Sequence, residues 1–384
     1  MKKYPIDTDY IQRTLLDLLA IPSPSGYTDE AVRYTCSVLQ SMDVPFELTR
    51  RGAIRADLKG KVSSPDRAIV VHLDTLGAMV KNLKPNGRLE VVPIGHWSAR
   101  FAEGGRVTLF SERGAVRGTV LPLKASGHTF NEEIDTQPVA WNNVEVRLDH
   151  PAKDTRELEE AGIAIGDFMA FDPNPEVDEC GYINSRHLDN KAGVAALLAA
   201  ARAIIENKAE LPVDCHLLFT ISEEVGSGAS SVLHGDVAEM LAIDNATPAP
   251  GQNSKETGVT LAMADSTGPF DYHFTRKLVE LCRDFDIPFQ RDVFKYYRTD
   301  AASAIEAGND IRTALVCFGV DASHGYERTS MNALQSLAEV LMLYMQSPAT
   351  VERDKKPMAG LAGFTHQPTP SPPSGATHWP PSEE

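Results

Sequence analysis

Leu217, Leu218 and Phe219 lead into Thr220-Ile221-Ser222-Glu223-Glu224-Val225-Gly226-Ser227-Gly228, and this stretch limits the chain more than any other. A short apolar run that stops at a glycine-rich turn reads as a buried strand. Open α/β sheets place their ligand sites just beyond the carboxyl ends of such strands, which is where Glu223 and Glu224 fall. Adjacent carboxylates repel, so one must be neutralised by a proton or a cation; a metal site can bind one and leave the other as a base. Taken alone, the pair also suits the first turn of a solvated helix, where acidic side chains meet the positive end of the helix dipole. The rest of the chain has to decide.

Other strand ends carry the same chemistry. Ala68-Ile69-Val70-Val71 delivers His72-Leu73-Asp74, Leu241-Ala242-Ile243 ends at Asp244, and the apolar run from Thr313 to Phe318 is followed by His324. Asp189 and Asn190 stand before an unusually apolar segment, 192 to 205, that reads as a helix with those two residues as caps. Two amphipathic helices are expected at the start: one carrying Ile11, Leu15, Leu16 and Leu19 behind Asp7 and Thr8, and one running from Thr28 through Leu39. Another closes the fold at about 332 to 345. The alternation of strands and helices defines an α/β class with a sheet flanked by helices.

From Gly77 to about residue 165 the pattern changes to short β-like segments at 88–92, 106–110, 115–121 and 144–148, divided by turns such as Pro85-Asn86-Gly87 and Gly104-Gly105. This reads as a small β domain (77–165) inserted between two parts of the main domain, 1–76 and 166–350. Residues 351–384 are rich in Pro among Ser, Thr and Gly, the composition of a disordered tail.

The formal charge of -16, from 37 basic and 53 acidic side chains, argues against nucleic acid and anionic membrane as partners. No stretch approaches the ~18 consecutive apolar residues of a membrane span, and Met1 to Asp7 has no signal-peptide core. A soluble, cytoplasmic protein is expected. The five cysteines are scattered without CxxC spacing, so any metal must be held by imidazole and carboxylate.

His72, Asp189, Glu224, Asp244 and His324 supply that set, each following a strand or opening a helix on what would be one sheet edge. Two imidazoles and three carboxylates suit a pair of borderline divalent ions, Zn, Co or Mn, and one carboxylate can bridge ions about 3.5 to 4 Å apart. Asp189, central in the order, is the candidate bridge. Singly, Asp189 is an N-cap, Asp244 a turn residue and either histidine a satisfied polar side chain; their convergence carries the argument. His187 shares an extended face with Asp189 but has no second ligand to serve. His216 alternates into its strand as a packed residue, and His96, His128 and His150 fall in the insertion.

With His72-Leu73-Asp74, Leu188-Asp189-Asn190-Lys191-Ala192-Gly193, Ser222-Glu223-Glu224-Val225-Gly226, Ala242-Ile243-Asp244 and Ser323-His324 in hand, the sequence resembles the tetrahedral (glutamyl) aminopeptidase family of di-metal peptidases. The resemblance runs from about Tyr10 to Tyr344 and includes the insertion. It implies a zinc-exopeptidase-like sheet and a PDZ-like β-barrel insertion that forms dimers. It further implies one ion on His72 and Asp244, a second on Glu224 and His324, Asp189 between them, Glu223 as the catalytic base and Asp74 as the residue that orients His72. Zn is the first expectation for the metal, and a short peptide for the substrate. A homo-oligomer is expected, either a dimer or a closed twelve-subunit shell.

Spacing separates this family from the related di-zinc carboxypeptidases and deacylases, which remain the alternative beside a non-catalytic metal- or peptide-binding scaffold. His72 and Asp189 are 117 residues apart (189 minus 72), whereas Asp244 and His324 are 80 apart (324 minus 244); the insertion is early, and in those relatives it follows the Glu pair. The chain departs from the family at Thr75-Leu76 and at Tyr296-Tyr297-Arg298. A narrower resemblance is to members associated with the osmoprotectant N-acetylglutaminylglutamine amide.

Overall fold

The computed structural model describes residues 1–368; of the tail expected from 351 onward, residues 369–384 lie outside the described residues. Four parallel strands, Val62–His72, Val213–Thr220, Val237–Ala246 and Arg312–Gly319, form the middle of a nine-stranded mixed sheet among the described residues. Ile54–Leu58 pairs antiparallel on one flank and Val259–Asp265 on the other, with Phe289–Val293 parallel to the latter.

The central strands read as continuous apolar runs because both faces are covered. Ile69, Val71, Leu217, Phe219 and Val316 pack under helices that include Thr8–Leu19, Leu188–Glu206, Tyr272–Asp284 and Met331–Gln346. Ala68, Val70, Leu218, Ala242 and Leu315 alternate onto the opposite core, against Ala301, Ala304 and Phe294. Leu188–Glu206 is buried nearly all round, the signature of a helix enclosed by other elements. Truncating fully buried Leu197 to Ala would cost about 2 to 5 kcal/mol.

The expected caps behave differently from the sequence reading. Asp7 does cap the first helix, accepting from the Tyr10 amide, but Thr28 makes no side-chain cap bond. Asp189 and Asn190 have non-helical backbone angles at the start of the 188–206 helix, and both side chains are drawn away to tertiary partners. Tyr272–Asp284, capped by Asp271, and the strands Val259–Asp265 and Phe289–Val293 have no counterpart in the sequence reading.

The insertion is a closed barrel of Gly77–Leu83, Leu89–Ile94, Val144–Leu148, Gly114–Pro122, Arg106–Ser111 and Phe168–Phe171. Val80, Leu89, Val107, Leu109, Val146 and Met169 fill its interior. Closure pairs the strands around the ring, so it does not present the open edges that a loose set of short strands would have offered a second chain.

Candidate active site

Register brings the candidates together. His72, the last residue of its strand, pairs with Thr220, and Val70 pairs with Ala242, so the register puts His72 and Asp244 at one level, Asp244 two residues before its strand ends at Ala246. Glu223 and Glu224 follow three and four residues past Thr220. Their turn is pinned by Asp74, whose carboxylate accepts the Glu223 amide at 3.1 Å, the Glu224 amide at 3.3 Å and the Ser25 hydroxyl. The bond to His72 Nδ1 comes instead from the Asp74 carbonyl, 2.9 Å away, with the carboxylate at 3.7 Å. Asp74 therefore holds both His72 and the Glu pair, by different atoms.

Asp189 lies between the two imidazoles: His72 Nε2 is 3.1 Å from Oδ1 and His324 Nε2 is 3.4 Å from Oδ2. Glu224 Oε2 is 3.7 Å from His324 Nε2, and Glu223 Oε2 is 3.8 Å from His72 Nε2. One ligand atom from each of His72, Asp189 and Glu224 lies within 4.8 Å of the other two. Asp244 is buried beside them and accepts the Asn245 amide at 2.7 Å.

Two imidazoles face more buried carboxylates than they can neutralise. Burial raises the Glu223 carboxyl well above its usual range and pushes Glu224 up to about 8. Burial and then the charge of Asp189 raise Asp244. Asp189 goes the other way: against its burial, hydrogen bonds from His324 and His72 hold it low. Burial would lower His324, but Glu224 and Asp189 lift it to about 10. Glu224 Oε1, buried, accepts no hydrogen bond. An orphaned buried carboxylate oxygen in a set of imidazole and carboxylate groups that share protons is one a cation would satisfy, and the donor set fits a borderline divalent ion.

The cluster opens on a cavity of ≈ 1070 Å³ lined by Glu223, Asp244, His324, His96, Tyr296 and Arg298 among others. Of the two departures from the family pattern, only Tyr296-Tyr297-Arg298 reaches it. Arg298 is held by Glu306 through two bonds of 2.9 and 2.6 Å, Tyr297 donates to the Asn245 carbonyl, and Tyr296 stands free. Thr75 is buried against Ser23 and Pro24. His187 bonds the Phe171 carbonyl, and burial pushes its imidazole down to about 3.

Three residues escape the sequence reading. Glu327, buried, accepts the amides of both Asp189 and His324; its signal is a spacing of three residues after His324, which lets a turn return its carboxylate to the His324 amide. Asn245 donates to Asp189 Oδ2 at 2.6 Å. Asp300 accepts from Thr220 and the Ala229 amide, tying the Glu-pair turn to the helix Asp300–Glu306.

A helix-covered sheet whose strand ends gather imidazoles and carboxylates under a barrel insertion is the arrangement of a metal-dependent exopeptidase. The sequence profile of the M42 glutamyl aminopeptidases matches residues 52–340, and the chain belongs to that family, which makes it a hydrolase of the aminopeptidase class. YhfE of Bacillus subtilis (strain 168), whose designation as an aminopeptidase is provisional, is 37% identical over 333 residues, 86% of this chain and 96% of its own. Aminopeptidase APDkam598 of the archaeon Desulfurococcus kamchatkensis shares the fold with a TM-score of 0.80 at 22% identity, covering 92% of this chain and 98% of the other. The TET1 peptidase of Pyrococcus horikoshii, described as assembling into a tetrahedron or a large octahedral shell, gives 0.75 at 21% identity, over 87% and 99%.

Proposed function

We propose that the chain is a di-metal aminopeptidase that removes N-terminal residues from short peptides. The observation that carries this is Asp189, held between two imidazoles beside a Glu224 oxygen that nothing else satisfies. His72 and Asp244 would hold one ion, Glu224 and His324 the other, with Asp189 shared; Zn is the first choice, and Co and Mn suit the same donors. Bound there, such ions make water acidic and polarise a carbonyl.

Glu223 is the residue left to move the proton. Its side chain retains 14% exposure and lines the cavity, so it can take a proton from the attacking water and return it to the leaving amine. The buried setting that raises its carboxyl makes the carboxylate a stronger base toward that water, and the neighbouring carboxylates suit a free N-terminal ammonium. The cavity accepts a small ligand whole, since ligand pockets typically run ~300 to 1,000 Å³. The narrower resemblance would make the physiological substrate a small peptide of the osmoprotectant system.

The chain would act as a homo-oligomer through the barrel, as a dimer or a twelve-subunit shell, in line with the assembling archaeal relative. No helix among the described residues is long and apolar enough to cross a membrane. The test is activity on aminoacyl reporters after dialysis against Zn, Co and Mn, with N-acetylated and C-terminal reporters in parallel. Cleavage confined to free-amine reporters is expected; turnover of only the C-terminal or acyl reporters would replace this reading with a carboxypeptidase or deacylase.

A further inference from the structure

A second group of metal-ligating side chains sits midway along the strand that leads to the Glu pair. His216 lies on the strand Val213–Thr220, four residues before its end, roughly 13 Å from it at ~3.3 Å per residue. Asp57 comes from the neighbouring strand Ile54–Leu58, paired with His216 in register. His234 comes from the loop before Val237–Ala246, and Asp66 from Val62–His72.

His216 stands between two carboxylates. Nδ1 is 2.7 Å from Asp57 Oδ1, and Nε2 is 3.2 Å from Asp66 Oδ2 with no hydrogen bond aligned between them. The same Asp57 oxygen is 3.7 Å from His234 Nε2, and the two imidazole rings lie with centroids 4.2 Å apart, tilted by 49°. One ligand atom from each of Asp57, His216 and His234 lies within 4.8 Å of the other two. A tetrahedral ion with bonds of about 2.0 to 2.2 Å keeps its ligands roughly 3.3 Å apart, and the measured 2.7 and 3.7 Å bracket that value.

The unsatisfied atoms point the same way. His216 is 4% exposed and Asp66 6%, yet His216 Nε2, Asp66 Oδ1 and His234 Nδ1 are buried without partners. A neutral His216 donating Nδ1–H to Asp57 would aim its Nε2 lone pair at the Asp66 carboxylate. An ion on Nδ1 reverses this tautomer, so that Nε2–H faces Asp66, the carboxylate behind the histidine that metal sites usually carry. Nearby charge leaves room for it: Arg55 is engaged by the carbonyls of Ser231, Val232 and Leu233, and Lys59 bonds Asp214 at 2.9 Å and stays 4.0 Å from Asp57 Oδ2, the oxygen turned away from His216.

We propose that Asp57, His216 and His234 form a second, structural site for a divalent ion of the zinc class, with Asp66 orienting His216 and water in the fourth position. The ion ties the 231–236 loop to the sheet. That loop is already shaped for it: Gly235 has φ +68, a Cβ there would lie 2.6 Å from Asp66 Oδ2, and the Asp236 amide donates to the same oxygen at 3.2 Å. The loop feeds the strand that carries Asp244, so the site steadies the sheet without touching the catalytic cavity.

The test compares full-length wild type with His234→Ala and Asp57→Asn, both partly exposed positions, after chelation, reloading with Zn²⁺ and desalting. Elemental analysis is expected to find one ion fewer per chain in each variant, with unchanged peptidase activity at saturating metal. Because the readout is a difference, it holds whatever the occupancy of the catalytic site. Hydrogen exchange in 231–236 should slow on adding Zn²⁺ to wild type and not to His234→Ala. Equal metal content in all three proteins, or exchange in that loop that Zn²⁺ does not change, would overturn the site.

Discussion

The backbone amide of Asp189 donates to Glu327 Oε2 at 3.1 Å, while the other oxygen of that carboxylate accepts the His324 amide at 2.9 Å. One buried side chain thus sets the spacing between the Asp189 carboxylate and the His324 imidazole. In Glu327→Gln only one acceptor oxygen remains, and one of the two amides meets an NH₂ group. An unsatisfied buried donor costs about 1 to 3 kcal/mol, and losing such a support typically weakens metal binding about 10- to 100-fold. Titration of Zn²⁺ into the stripped variant should show that loss; wild-type affinity would remove Glu327 from the site.

Gly193 explains a small residue in the Asp189 motif. A Cβ there would lie 2.1 Å from Asn190 Oδ1 and 2.9 Å from the Ile243 methyl, and Asn190 donates to the Ile243 carbonyl at 2.7 Å. Gly193→Ala should break that bond beside Asp189 and lower stability by about 1 to 3 kcal/mol, the usual size of an overpacked core. Thermal melting with and without metal measures it, and an unchanged melting temperature would show that the helix start absorbs a methyl.

Glu223→Gln preserves shape and cannot take a proton from water. Metal content should stay at the wild-type value while kcat falls by about 10² to 10⁴, the usual worth of a general base. Turnover within a few-fold of wild type would assign the base elsewhere.

Metal binding should release protons. Without an ion, burial pushes Glu224 up to about 8, and His324, which burial alone would lower, is raised to about 10 by Glu224 and Asp189, so the pair together retains proton at pH 7. A bound ion needs both deprotonated, and affinity must therefore rise with pH through about 8 and onward toward 10. Calorimetric titration in two buffers of different ionisation enthalpy counts the protons; a pH-independent affinity would contradict the assignment of these two ligands.

His72, Asp244 and the Glu pair are legible in the sequence because each ends an apolar run, and a buried strand leaves its last polar residue at the sheet edge. Asp189 is legible only by company, since its local signal is that of a cap; tertiary partners outweigh that propensity and take its carboxylate to His72 and His324. Glu327 is hidden in Gly325-Tyr326-Glu327-Arg328, which reads as surface until the short pairing of Glu327–Ser330 with Tyr182–Ser185 buries it. The barrel's closure is implied by the family resemblance but not by the residues themselves, because Gly77–Leu83 and Phe168–Phe171 are ordinary segments until they pair with each other and complete the ring. His216 and His234 are separated by the whole Glu-pair turn, so nothing in their spacing announces that their rings meet.

The central claim is that Asp189 is shared by two ions. Anomalous scattering at the zinc edge, from crystals of the zinc-loaded full-length protein, tests it most directly. The account predicts two peaks about 3.5 to 4 Å apart on either side of the Asp189 carboxylate, one against His72 and Asp244 and the other against Glu224 and His324. A single peak there, or a pair that leaves Asp189 unbound, would contradict it.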